Sequence, residues 1–172
     1  KFTAVREPAN VSITLDANGG ELTCDEKIDA KFGDPIDTPT DPVLEGNEFL
    51  GWSTSKDGLV VEFPSTMPAK NTTYYAIWKT NEHLATFNAN GSTFKVNNDA
   101  VYSQLVKYGD TIEFPELNDR DGYKFTGWTP NTTTMPNEAV TFTAQWEYIP
   151  TGKADYTIYI YTVNPATGEY SE

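Results

Sequence analysis

The chain has 172 residues and a formal charge of −13, from 12 basic against 25 acidic side chains, with 38% hydrophobic and 13% aromatic residues. That length allows one domain or two small ones, and so acidic a chain repels phosphate backbones, which excludes nucleic acid as a natural partner. One cysteine, Cys24, and one histidine, His83, exclude an intrachain disulfide and a Cys/His zinc cluster.

At the N-terminus, Phe2-Thr3-Ala4-Val5-Arg6-Glu7 aligns with Phe142-Thr143-Ala144-Gln145-Trp146-Glu147, so residues 1–9 read as the last strand of a preceding unit. Lys1 to Pro8 lacks both a Met start and the apolar core of a signal peptide. The chain is therefore expected to be a section of something longer. A first unit is expected over residues 10–79. Val11, Ile13 and Leu15 alternate with polar residues and predict a strand. Asn18-Gly19 supplies the positive-φ residues of a tight turn. Ile28, Ala30 and Phe32 predict a second strand, and Phe49, Gly51 and Trp52 belong to a third. Pro35, Pro39, Pro42, Pro64 and Pro68 exclude long helices, leaving room for one helical turn near Asp41–Gly46 or near Asp119–Gly122. Thr73–Trp78 is a fourth strand rich in β-formers. After a linker at Lys79–His83, the series repeats over residues 84–148. It passes through Thr86-Phe87, the turn Asn90-Gly91, Gln104–Tyr108, Phe125–Trp128 and Thr141–Trp146. A second linker, Tyr148–Lys153, leads to residues 154–172, which read as the opening hairpin of a truncated third unit.

The duplication is visible in matched blocks. Asp16–Gly19 recurs as Asn88–Gly91 at an offset of 72; Lys31–Asp34 as Lys107–Asp110 and Gly51-Trp52 as Gly127-Trp128 at 76; Met67-Pro68 as Met135-Pro136 and Ala76–Trp78 as Ala144–Trp146 at 68. The second copy thus gains four residues after its Asn-Gly turn and loses eight after its Gly-Trp pair, changes that fit loops between fixed elements. Units of about 65–70 residues have marginal cores, and no disulfide or metal is at hand to staple them. Large aromatics are the remaining device. A buried Trp removes about 150–250 Å² from water, worth roughly 4–6 kcal/mol before entropy is counted. Trp52, Trp78, Trp128 and Trp146, with Phe32, Phe49, Tyr108 and Phe125, are the expected core.

The ordered set Ile13–Gly20, Phe32–Ile36, Pro39-Thr40, Glu45–Trp52 and Tyr74–Trp78 resembles the Listeria–Bacteroides repeat, also called the internalin B-repeat. The second copy matches through Phe87–Gly91, Tyr108–Asp110, Gly122–Trp128 and Ala144–Trp146, and departs from the pattern at Ser92, where a second Gly is usual. The resemblance covers roughly residues 10–148. It implies a mostly β chain of tandem, small, β-grasp-like (ubiquitin-like) units with little helix. It also implies tandem display on bacterial cell-surface or secreted proteins, with neighbouring repeats of the same chain as partners. The tail from Ala154 is similar to the openings of mucin-binding-like repeats.

Chemistry finds little footing. Asp25, Glu26, Asp29, Asp119 and Asp121 are the carboxylates a hydrolase would pair, but they sit in turn-like or alternating exposed positions. His83 stands in the linker, away from any nucleophile. Cys24 has no positive neighbour to activate it. Neither Asp34, Asp37 and Asp41 nor Asn118, Asp119 and Asp121 match a calcium loop. Tyr156, Tyr159, Tyr161 and Tyr170 are the best sugar-stacking candidates, and packing on the rest of a third unit is the competing role for them. An intramolecular Lys–Asn isopeptide bond needs a buried triad that no sequence pattern locates. No catalytic, metal or cofactor residue is therefore assigned. The expected role is a non-catalytic stalk, spacer or adhesion segment; a binding module for host glycoprotein or glycan is the second reading, and a hydrolase accessory region a remote third.

Overall fold

The computed structural model describes Glu7, residues 9–150, Thr162, Val163, residues 165–168, Tyr170 and Ser171. Among these the regular elements are all strands. The first repeat contains β1 (Asn10–Asp16), β2 (Lys27–Lys31), β3 (Asn47–Ser53) and β4 (Thr72–Thr80); the second contains β5 (Glu82–Asn88), β6 (Val101–Lys107), β7 (Tyr123–Thr129) and β8 (Val140–Tyr148). A two-stranded ribbon, β9 (Thr162–Val163) with β10 (Tyr170–Ser171), lies beyond them. The helical turns expected near Asp41–Gly46 and Asp119–Gly122 are simple turns, closed by Asn47 N–H to Leu44 C=O (3.0 Å) and Tyr123 N–H to Arg120 C=O (3.0 Å).

Each repeat folds into its own four-stranded mixed sheet, in the order β2-β1-β4-β3 and β6-β5-β8-β7. The central pair is parallel, β1 with β4 and β5 with β8, and both outer pairs are antiparallel. The four inserted residues of the second copy go partly into strand: β2 has 5 residues, β6 has 7. Asn18 (φ 49°) with Gly19 (φ 101°), and Asn90 (φ 47°) with Gly91 (φ 93°), occupy the left-handed region as their types favour. Gly20 N–H closes the first of these turns on Ala17 C=O (3.1 Å). These turns cap β1 and β5 but do not lead straight into the paired strand, which starts only at Lys27 or Val101.

The recurring Gly-Trp pair has a geometric cause. The register of β3 against β4 shifts between Phe49 and Gly51, and that of β7 against β8 between Phe125 and Gly127. Such a bulge adds one residue, so positions three apart fall on one face. Gly51 (φ 139°) and Gly127 (φ 143°) adopt the backbone this requires. Phe49 and Trp52 thereby meet edge-to-face at 5.4 Å, and Phe125 and Trp128 at 5.5 Å.

The cores are separate. Val11, Ile13, Leu15, Trp52, Met67, Tyr74 and Ala76 form the first; Ala85, Phe87, Ala89, Phe94, Ile112, Met135 and Phe142 form the second. Trp52 is 3% exposed, whereas Trp78, Trp128 and Trp146 are half-buried. The indole N–H groups of Trp78 and Trp146 donate to Ala17 C=O and Ala89 C=O, each at 2.9 Å, and so pin the two turns to β4 and β8. Phe49 and Tyr108 are half-buried. Two expectations need correction. Phe32 is 53% exposed, because the edge strand β2 ends at Lys31 and the chain turns at Gly33 (φ 87°) before any of the described elements covers the ring. Phe125 is 38% exposed, because its outer face borders an open groove.

Candidate functional site

The residues weighed for chemistry are scattered. Cys24 is half-buried and packs against the first core. His83 is not in a linker: it lies in β5 opposite Val106, with Nε2 3.0 Å from Asn137 Oδ1. The Asp34 carboxylate accepts Lys31 N–H (3.1 Å) within its own turn. The Asn118 amide donates to Thr93 Oγ1 (2.9 Å) and Asn98 Oδ1 (3.1 Å), bracing the inserted loop. No group of three or more His, Cys, Asp or Glu among the described residues is arranged to hold a metal ion. Tyr156, Tyr159 and Tyr161 lie outside the described residues; Tyr170 is in β10.

Two other features organise themselves into surfaces. The first is a groove of about 700 Å³ in the second repeat, with Phe114, Phe125, Trp128 and Trp146 along it and Lys95 and Arg120 at its edge. The corner beside it differs between the copies at one residue of the turn. In the first repeat, a Cβ at Gly20 would come within 2.6 Å of Val43 C=O and 2.7 Å of Trp78 Cζ2, so the turn and the β2–β3 connection close over that indole. Ser92, at the matching position, carries a Cβ, and its hydroxyl donates to Asn118 C=O (2.7 Å). Arg120 lies along the groove, its guanidinium 3.9 Å from the Tyr123 ring centroid and 5.7 Å from that of Trp146, while donating to Asn90 C=O (3.0 Å). On the rim, Lys95 Nζ donates to Glu116 Oε2 (2.9 Å). That bond, then the charge pairing itself, raises the Lys95 pKa and lowers that of Glu116.

The second feature is the junction between repeats. Between β4, ending at Thr80, and β5, starting at Glu82, only Asn81 lies outside a strand, so the expected five-residue linker shrinks to one. Asn81 N–H donates to Gly46 C=O (2.9 Å), and Asn81 C=O accepts Tyr108 N–H (2.9 Å). Gly46 (φ 70°) is buried, and a Cβ built on it would collide with the face of the Tyr108 ring at Cδ1. An aromatic ring of one repeat therefore lies flat against a turn glycine of the other.

Sequence reasoning missed Phe94, Phe114 and Arg120. Phe94 carried a signal, since it is the large apolar residue inside the segment that the second copy gained. Met67 and Met135, both 1% exposed, were visible as a repeated Met-Pro but not as core.

The family model described as Listeria-Bacteroides repeat domain matches residues 12–77 and 83–159. A protein of Evansella cellulosilytica provisionally named a membrane protein is 29% identical over 147 residues, 78% of this chain and 21% of its own length. A second, provisionally named a Gly-rich membrane protein, is 30% identical over 120 residues, 68% of this chain and 13% of its own. Internalin H of Listeria monocytogenes is 37% identical over 95 residues, 54% of this chain and 16% of its own. The chain thus spans between 13% and 21% of the length of these relatives. Among the described residues, no helix is long and apolar enough to cross a membrane.

Proposed function

This chain belongs to the Listeria-Bacteroides repeat domain family, and on that premise we propose that it is a non-catalytic spacer in a bacterial cell-surface protein, two repeats set end to end to hold a distal domain away from the envelope. The observation that carries this reading is the one-residue junction. Each repeat closes its own core, and the chain leaves one sheet and begins the next across Asn81 alone. A spacer needs units that are complete in themselves and joined without slack. The strand order and the parallel central pair also support a β-grasp-like reading of each unit, with a crossover that carries no helix. Small-angle scattering tests the proposal. A 172-residue globule has a radius of gyration of about 16 Å, and an end-to-end pair must exceed that clearly. A value near the globular one overturns the spacer reading.

The groove of the second repeat favours an additional reading as a ligand-binding module, since aromatic faces with a polar rim suit a saccharide or a glycoprotein surface. Tryptophan fluorescence titrated with an oligosaccharide panel tests it: quenching in the intact chain that Trp128→Phe and Arg120→Ala reduce supports it, and an unchanged spectrum across the panel overturns it.

A further inference from the structure

The two outer ends of the repeat pair carry the two halves of the junction found between them. At one end, Phe32 stands where Tyr108 stands in the second repeat, and its N–H donates to Ala9 C=O (3.0 Å) as that of Tyr108 donates to Asn81. At the other end, Gly122 stands where Gly46 stands, at φ 72° against 70°, and its C=O accepts Ile149 N–H (2.7 Å) as that of Gly46 accepts Asn81 N–H. Ala9 and Ile149 thus each make one of the two hydrogen bonds that Asn81 makes at once. What differs is the ring. Tyr108 is half-buried on Gly46, while Phe32 is 53% exposed. Gly46 is buried, whereas among the described residues a Cβ at Gly122 would meet just the Tyr148 ring, Cε2 at 3.5 Å and Cδ2 at 3.9 Å. Apolar surface lies beside Gly122: Tyr123 is 37% exposed, Ile149 46% and Tyr148 60%.

We propose that the Gly122 face and the Phe32 ring are complementary docking surfaces for a further repeat of the same kind joined in series. At each such joint an aromatic side chain at the Phe32/Tyr108 position seats on a left-handed turn glycine at the Gly46/Gly122 position. The occupant is a covalently linked repeat rather than a separate molecule, because a single pivot residue supplies both hydrogen bonds, its N–H to one repeat and its C=O to the next. The surfaces that look like exposed hydrophobic defects at the two ends are then the repeated fastening of an array. Glycine is required on one side by both the φ value and the ring, and an aromatic is required on the other to fill the contact. This inference rests on the spacer reading and specifies how the spacer is held straight.

The test inserts an additional copy of residues 10–81 between Ile149 and Pro150 of the full chain; each repeat has its own sheet and core, and dispersed amide resonances establish that the inserted copy is folded before its alignment is read. Ile149 then takes the pivot position, and Phe32 of the inserted copy faces Gly122. Residual dipolar couplings are expected to give one common alignment for all three repeats, and the Hα of Gly122, like that of Gly46 beneath Tyr108, is expected to be shifted upfield by the ring. Phe32→Ala in the inserted copy alone removes an exposed ring and touches no core; it is expected to abolish both effects, while the same change in the original Phe32 leaves them intact. Gly122→Ala is expected to split the alignment in the three-repeat chain and to leave that of the parent chain unchanged. An inserted repeat that tumbles independently with Gly122 and Phe32 intact, or alignment indifferent to Phe32→Ala in the inserted copy, overturns the docking proposal. The spacer reading is judged separately by scattering. A maximum dimension that grows with a loosely tethered repeat leaves it standing, and one that does not grow overturns it.

Discussion

The first repeat fills the space beside its central tryptophan from one side, and the second fills it from the other. In the first, residues 54–71 form a long β3–β4 connection that brings Phe63 to 4.9 Å from Tyr74 and 6.4 Å from Trp52. In the second, the matching connection is residues 130–139, eight shorter, and Phe63 has no counterpart. Phe114 takes its place, 5.0 Å from Phe142 and 5.9 Å from Trp128, and Phe94 from the enlarged β5–β6 connection stacks on Trp128 at 6.2 Å and 8°. A deletion at one edge of the core is thus offset by an insertion at another, because packing requires a volume to be filled and is indifferent to which loop fills it.

The compensation is incomplete on the outer face, and that asymmetry predicts where the copies respond differently. Trp52→Ala is expected to cost about 3–5 kcal/mol in denaturant unfolding of the first repeat. Trp128→Ala, from a half-buried site, is expected to cost clearly less. Equal losses would show that the groove closes in solution. Phe94→Ala is expected to cost about 3 kcal/mol, confined to the second repeat as read by site-resolved hydrogen exchange. A comparable loss in the first would mean that the junction couples the two cores. Gly51→Ala and Gly127→Ala share a backbone penalty of about 1–3 kcal/mol, but Gly51 has Val60 Cγ1 2.5 Å from its would-be Cβ and Gly127 has nothing within 4 Å. The first should therefore lower the melting temperature more than the second.

The smallest effect is electrostatic. The Glu116 pKa is lowered, so its pairing with Lys95 contributes above the ordinary carboxylate pKa and is lost as pH falls through the lowered value. The Lys95 pKa is raised, so its share is present below the ordinary lysine pKa and is lost as pH rises through the raised value. Both groups are fully exposed, so Glu116→Gln should barely move the melting temperature at neutral pH. It should remove both the small acid-side and the small alkaline-side dependence that this pair contributes, and a large shift would mark the rim as structural.

Most of the strand framework was legible in the sequence, since alternation at Val11–Leu15, β-branched and aromatic runs at Thr73–Trp78 and Asn-Gly turns are local signals. The Gly-Trp pair was legible as a motif but not as a bulge, which exists only in the register with β4 or β8. Burial was the weakest reading. The spacing that put Phe32 and Phe125 on a strand gave no information about whether another element covers them, and the departure at Ser92 named no partner for its hydroxyl, which donates to Asn118 C=O 26 residues away. The groove and the junction both depend on such tertiary distances, so neither could be read from spacing alone.

The side-by-side parallel course of β1 and β4, and of β5 and β8, has a mechanical consequence. The backbone enters each repeat at the start of one of these strands and leaves at the far end of the other, so tension transmitted along the protein drags the pair in opposite directions along their length. Every rung of the ladder is then loaded in shear at the same moment, whereas a hairpin pulled at its open end would unzip one rung at a time.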